Sequence, residues 1–296
     1  MMPNDTHAGK GVILCADDFA VHASASLGIA KLAALGRISA TSVMVLSPRW
    51  PQDVALLHDL RGRLDVGLHL DWTSDFAFAA GHGLSLKAAM LKAALGGFNQ
   101  TAARAVIERQ LDLFEAQWQA PPDYVDGHQH VQQFAGIREA LVQALARRYG
   151  AHKPYLRISR APAGAADLKS RVIAAMGAHA LETIAACAGV TGAGALSGIY
   201  DFSGTPARYA ELMAGWLRTA PATALQTNQV GVRSPHAPRS GQSRPARLSA
   251  WPPSATGRAR RQAQNHWSSP GAGQRQGGRA GLAAAPRPAA SAVTAP

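Results

Sequence analysis

From residue 11 to about residue 220, short apolar runs alternate with longer stretches of helical spacing. "GVILCADDF" (11–19) is apolar, rich in strand formers, and ends in charge. "ATSVMVL" (40–46), "LDVGLHLDW" (64–72), "DYVDGHQH" (123–130) and "PYLRIS" (154–159) read as further strands. Between them, "SASLGIAKLAALG" (24–36) places apolar residues at helical intervals, with Gly36 where a C-terminal cap belongs. The spacing predicts other helices over 51–60, with Pro51 near its start, 99–120, 137–150, about 167–180 and 205–218. Within 99–120, Val106, Leu111, Leu113, Phe114 and Trp118 are expected to face the core. Strands that alternate with helices imply an α/β fold with a parallel sheet, open or closed into a barrel. In such folds the chemistry sits at the carboxyl ends of the strands.

After about residue 220 the hydrophobic period disappears, and ten of the 18 prolines lie beyond that point. The net charge of +12 also belongs there. Residues 1–211 hold all 18 acidic residues against 19 of the 30 basic ones, a net of +1. The last 85 residues hold the other 11 basic residues, all arginine, and no Asp or Glu. Typical usage would put about ten acids in a segment of that length. Two readings fit: a disordered, Arg-rich tail that binds anions, or out-of-frame translation of GC-rich DNA. The second is preferred because it also accounts for an α/β pattern that stops without a closing strand. The expected organisation is a domain over 1–220 and a low-complexity tail over 221–296.

Candidate chemistry gathers at three strand ends. Asp17 and Asp18 close the first strand, His69 lies on the third, and Asp126, His128 and His130 crowd the fourth. Each has a bland alternative: a helix cap for "ADD", a hydrogen-bonded core histidine for His69. Their joint appearance at successive strand ends points instead to one carboxylate and two imidazoles around a divalent ion, with positions left for water and substrate. A second carboxylate beside them could take the water's proton. The two cysteines, Cys15 and Cys187, make neither a disulfide framework nor a zinc cluster, and Cys15 reads as a small core residue. No apolar run is long enough to span a membrane and no leader is visible, so a cytoplasmic protein is expected. The near-neutral bulk of the chain argues against nucleic acid as a partner.

The segments "ILCADDFAVHASASLGIAKLAALGRISATSVMV", "VGLHLDWT" and "PDYVDGHQHVQQF" resemble the YdjC-like carbohydrate deacetylases in order and spacing, across roughly residues 11–220. "YLRIS" and "GIYDFSGTPARYAELMAGWL" resemble later segments of that family. The resemblance implies a TIM-barrel-like (β/α) barrel, here incomplete at its C-terminal end. It implies a divalent metal, usually magnesium (Mg2+), with Zn2+ or Mn2+ as alternatives. The implied reaction is hydrolysis of an N-acetyl group from an N-acetylated sugar or oligosaccharide. Carried over motif by motif, Asp18, His69 and His128 would hold the metal and Asp17 would be the general base, although the adjacent aspartates could exchange roles. Asp126 and His130 would orient a ligand or meet substrate, and Arg157 would bind substrate hydroxyls, steady an oxyanion, or form only a salt bridge. The sequence departs from the family in two places. Ala20 stands where the family has glycine, and no strand with His-Pro follows residue 220; His236, in "SPHAPR", is a weak substitute for the general acid that strand would carry. A chain lacking that strand could be a catalytically impaired metal- or sugar-binding remnant. Oligomeric state is left open, with a homodimer as one arrangement.

Overall fold

Every strand of the computed structural model runs parallel to its neighbours, and the strands pair in chain order, β1-β2-β3-β4-β5-β6. The structure describes residues 13–162, 168–200 and 203–218. The boundary at 220, the proposed tail and His236 lie outside the described residues. The strands are β1 (Cys15–Phe19), β2 (Ala40–Val43), β3 (Asp65–Leu70), β4 (Tyr124–Gly127), β5 (Tyr155–Arg157) and β6 (Gly192–Ala193). Among the described residues β1 and β6 are edges, so the sheet is open.

Helices fill the crossovers. They are α1 (Ala23–Ala34), α2 (Trp50–Asp53), α3 (Asp75–Ala79), α4 (Leu86–Ala94), α5 (Gln100–Trp118), α6 (Ile137–Tyr149), α7 (Leu168–Ala175), α8 (Ala178–Cys187) and α9 (Pro206–Arg218). Gly36 ends α1 as the sequence predicts: its φ is +64°, and the backbone N–H of Arg37 bonds back to Leu32. The predicted helix 51–60 is α2 followed by a 3-10 turn over Val54–Leu60. The predicted helix 167–180 falls in the region of two helices, α7 and α8, with Gly177 at φ +129° between them. Helices α3 and α4 have no counterpart in the sequence reading. Each is short and starts from a capping serine, Ser74 or Ser85, rather than from a long apolar stripe. The strand β6 is likewise too short to carry a pattern.

Alternation along each strand divides the side chains into two sets. Val43, Val66, Leu68, Leu70, Val125, Leu156 and Ile158 join the large core beneath the helices. The opposite set turns inward. At its lower end, Ile13, Ala40, Tyr124, Tyr155 and Ala193 pack together, and the Tyr124 and Tyr155 rings stack 5.1 Å apart. These two tyrosines are direct neighbours in the β4–β5 register. Gly67 makes room for them, since a Cβ there would stand 2.5 Å from the Tyr124 ring.

The curl of the sheet decides what meets inside it. In a flat sheet, strands four places apart lie about 19 Å from each other. Yet Arg157 on β5 donates to Asp17 on β1 at 2.8 Å, and the Cys15 thiol on β1 lies 2.9 Å from the Tyr124 hydroxyl on β4. The sheet therefore curls toward a barrel, and side chains from strands four apart meet on its inner face.

Candidate metal centre

The strands deliver polar side chains to the upper end of that inner face. Parallel pairing sets His69 directly beside Asp126. The contact that results is short: His69 Nδ1 lies 2.6 Å from Asp126 Oδ1, with His69 3% exposed and Asp126 fully buried. His69 Nε2 is then turned to Asp18 Oδ1 at 3.4 Å. His128 Nδ1 reaches the same oxygen at 3.1 Å. The two imidazole rings meet edge to face, 5.5 Å apart.

Asp18 and His128 owe their positions to backbone turns rather than to strand alternation. Asp18 has φ +63° and Ala20 has φ +71°, so the end of β1 twists through left-handed geometry twice. Ala20 therefore adopts a left-handed conformation that glycine would take more readily. Two hydrogen bonds hold it there, from its N–H to Ser26 Oγ and from the Ser47 hydroxyl to its carbonyl. Strand β4 ends at Gly127, and His128 opens a 3-10 turn to Gln133. Asp126, His128 and His130 thus do not share a strand face as the sequence suggests. Gln129 and His130 both have positive φ, 53° and 64°, which swings His130 toward β5, where its Nδ1 lies 3.0 Å from Ser159 Oγ.

Beneath these groups lies an arginine. Arg157 is 4% exposed. It donates twice to Asp17, from Nη1 to Oδ2 and from Nη2 to Oδ1, both at 2.8 Å. Nη2 also lies 3.0 Å from Cys15 Sγ. Nη1 is 2.7 Å from Asp126 Oδ2, an ion pair whose angle falls outside hydrogen-bond geometry. Of the roles open to Arg157 from the sequence, the structure supplies a salt bridge, but a buried one at the centre of the site. The Ser42 hydroxyl on β2 stands between the two halves, donating to Asp17 Oδ1 at 3.1 Å and lying 3.2 Å from His69 Nδ1.

The charges set each group's protonation. Burial would raise the Asp18 carboxyl, but His128 and His69 outweigh it and hold it well below the usual carboxylate range. Burial likewise favours neutral Asp17, and the Arg157 guanidinium reverses this, keeping the carboxyl far below its ordinary value. His69 is pulled down by burial and pushed up more strongly by Asp126 and then Asp18, so it ends well above the ordinary imidazole value. His130 goes the other way: burial first and Arg157 second push it down to about 3, leaving a neutral ring.

The donor set of Asp18, His69 and His128 fits a single cation. One ligand atom from each lies within 4.8 Å of the others. Atoms that ligate one ion at about 2.1 Å sit about 3 Å apart, and the two separations from Asp18 Oδ1 are 3.1 and 3.4 Å. Asp126 behind His69 holds Nδ1 and so turns Nε2 toward Asp18. The sequence reading did not find Ser42, Ser159 or the inward course of Cys15. For Ser42 and Cys15 the signal was there: each lies two residues from another inward position of its strand.

A family model described as YdjC-like protein matches residues 11–264 of the chain. A crystal structure from Enterococcus faecalis, of a protein provisionally described as a cellobiose-phosphate cleavage protein, shares the fold at 19% identity with a TM-score of 0.51. The match covers 71% of this chain and 77% of that one. No curated protein matches the chain.

Proposed function

Because the chain belongs to the YdjC-like protein family, we propose that it is a metal-dependent hydrolase that removes an N-acetyl group from an N-acetylated sugar or oligosaccharide. The observation that carries this reading is the convergence of Asp18, His69 and His128, with Asp17 beside them. Asp18, His69 and His128 would hold a divalent ion; magnesium is what the family likeness implies, and two imidazoles also suit zinc or manganese. When bound, such an ion polarises the acetyl carbonyl and makes a water acidic enough for a weak base to deprotonate.

Asp17 is that base. Arg157 keeps it ionised, which an acceptor requires, and also makes it weak. Oδ1 accepts from Ser42, Arg157 and the Cys15 thiol, whereas Oδ2 accepts from Arg157 alone among the described residues. Oδ2 therefore retains a lone pair for the proton, on a side chain that is 40% exposed. His130, neutral and steadied by Ser159, offers a hydrogen bond to a substrate hydroxyl. Asp126 braces His69 and stays out of the reaction.

His128→Ala should abolish retention of the metal and acetate release from a chitobiose-type substrate together. Asp17→Asn should leave metal affinity within about threefold and lower kcat by about 10²-fold or more. Loss of metal in Asp17→Asn would shift that residue from base to ligand. A second reading, a metal- or sugar-binding remnant, draws on the open edge at the two-residue strand β6. Metal uptake by the wild-type chain with no acetate release would establish it.

A further inference from the structure

Two sets of potential ligands meet at His69: Asp18 with His128, and Asp17 with Asp126. The second set is as close-knit as the first, with its ligand atoms also within 4.8 Å of one another. Two overlapping sets sharing one histidine are the arrangement from which a two-ion centre is built. The structure differs from such a centre in two respects. The Arg157 guanidinium lies within the second set, contacting Asp17 through both oxygens, Asp126 Oδ2 at 2.7 Å, and Cys15 Sγ at 3.0 Å. His69 cannot serve that set either, because its Nδ1 is committed to Asp126.

We propose that Arg157 is a built-in cation that occupies the seat of a second metal ion and so fixes this site at one ion per chain. The inference rests on the reading of Asp18, His69 and His128 as ligands of the first. The buried Asp126 carboxylate, with the part-exposed Asp17 beside it, needs a positive charge at hand. The guanidinium meets that need permanently and cannot be deprotonated or lost to dilution. It also delivers charge without drawing Asp17 into a coordination sphere. A carboxylate bound to a second ion is a poorer proton acceptor than one held by N–H groups, because the ion draws more charge from its oxygens. Arg157 is in this sense a positioning residue. It sets the number of ions and the freedom of Asp17, and it does not itself touch substrate.

Replacing Arg157 with a neutral side chain should leave the seat to Asp17 and Asp126, with the Cys15 thiol, 3.2 Å from Asp17 Oδ1, able to join them. Thiolate and carboxylates together suit zinc and cobalt. The test is Co2+ binding, followed by equilibrium dialysis and absorption, on the full wild-type chain and on Arg157→Met and Arg157→Lys. The expected stoichiometries are one ion for wild type, two for Arg157→Met and one for Arg157→Lys. Only Arg157→Met should show a thiolate-to-cobalt charge-transfer band, and that band should vanish in Arg157→Met with Cys15→Ser. Two ions on the wild type would overturn the proposal, as would a single ion on folded Arg157→Met. Should Arg157→Met not fold, Mn2+ electron resonance on the wild type decides: an isolated-ion spectrum supports the proposal, and an exchange-coupled pair refutes it. No ion at all on the wild type refutes the one-ion site and, with it, the metal-dependent reading. A wild type that binds one ion yet releases no acetate leaves the present inference standing and removes only the deacetylase assignment.

Discussion

At the scale of single residues, the inner face of the sheet carries charge at both ends, and the lower end supplies a pH test independent of the metal. Asp65 sits below Tyr155, whose hydroxyl donates to its Oδ2 at 3.3 Å. Burial and then the neighbouring Asp123 push its carboxyl up to about 7, outweighing that hydrogen bond. In the unfolded chain the same group titrates near its ordinary value of about 3.9. Between those values the native chain keeps a proton that the unfolded chain has released. Asp65 therefore favours folding most at low pH, and its contribution declines as pH rises toward and through about 7. Urea midpoints at about pH 5 and about pH 8 should show the wild type losing stability across the interval, and Asp65→Asn should flatten that loss. The sequence could not show this. Asp65 and Asp123 are far apart in the chain, and only the β3–β4 pairing brings them together.

At the scale of elements, the strands were readable because their two faces differ. "DVGLHL" sets Asp65, Gly67 and His69 on the inner side and Val66, Leu68 and Leu70 under the helices. That alternation made His69 stand out as a histidine at an inward position. It could not place Asp18 or His128, because both depart from strand geometry at the point where they become useful. Left-handed residues at Asp18, Ala20, Gln129 and His130 break the period that sequence reading depends on. Helix α5 was legible in outline: Asn99 caps its start and Leu111, Phe114 and Trp118 are buried as expected, whereas Val106 and Leu113 are only part-buried and Ile107 takes the core position. Helices α3 and α4 were not, because they bury Ala77 and Ala89 alone. Gly67 is the position where an element is most tightly specified. Gly67→Ala would drive a methyl into the Tyr124 ring, whose stacking partner Tyr155 prevents retreat. A loss of about 1–3 kcal/mol in unfolding free energy is expected, measured by denaturant titration. Gly67→Ala combined with Tyr124→Phe should recover little, because the clash is with the ring and not the hydroxyl.

At the scale of the whole molecule, the described strands form a sequentially ordered parallel sheet, curled but open, and no helix among the described residues is long and apolar enough to cross a membrane. The family match extends to residue 264, beyond the stretch over which the motifs could be followed by eye. The tie from β5 to β1 has a mechanical side. Strand β1 is hydrogen-bonded on one flank only among the described residues, yet it bears both aspartates of the site. Its far flank is fastened by side chains alone: the guanidinium clasp on Asp17, the Cys15–Tyr124 contact and the Asp18–His128 contact. Edge strands of this kind open before the body of a domain does. On gradual warming, cation uptake should therefore fail several degrees below the main melting transition, with amide exchange quickening first over residues 15–19. The molecule would go silent while still folded, and cooling would restore it without refolding.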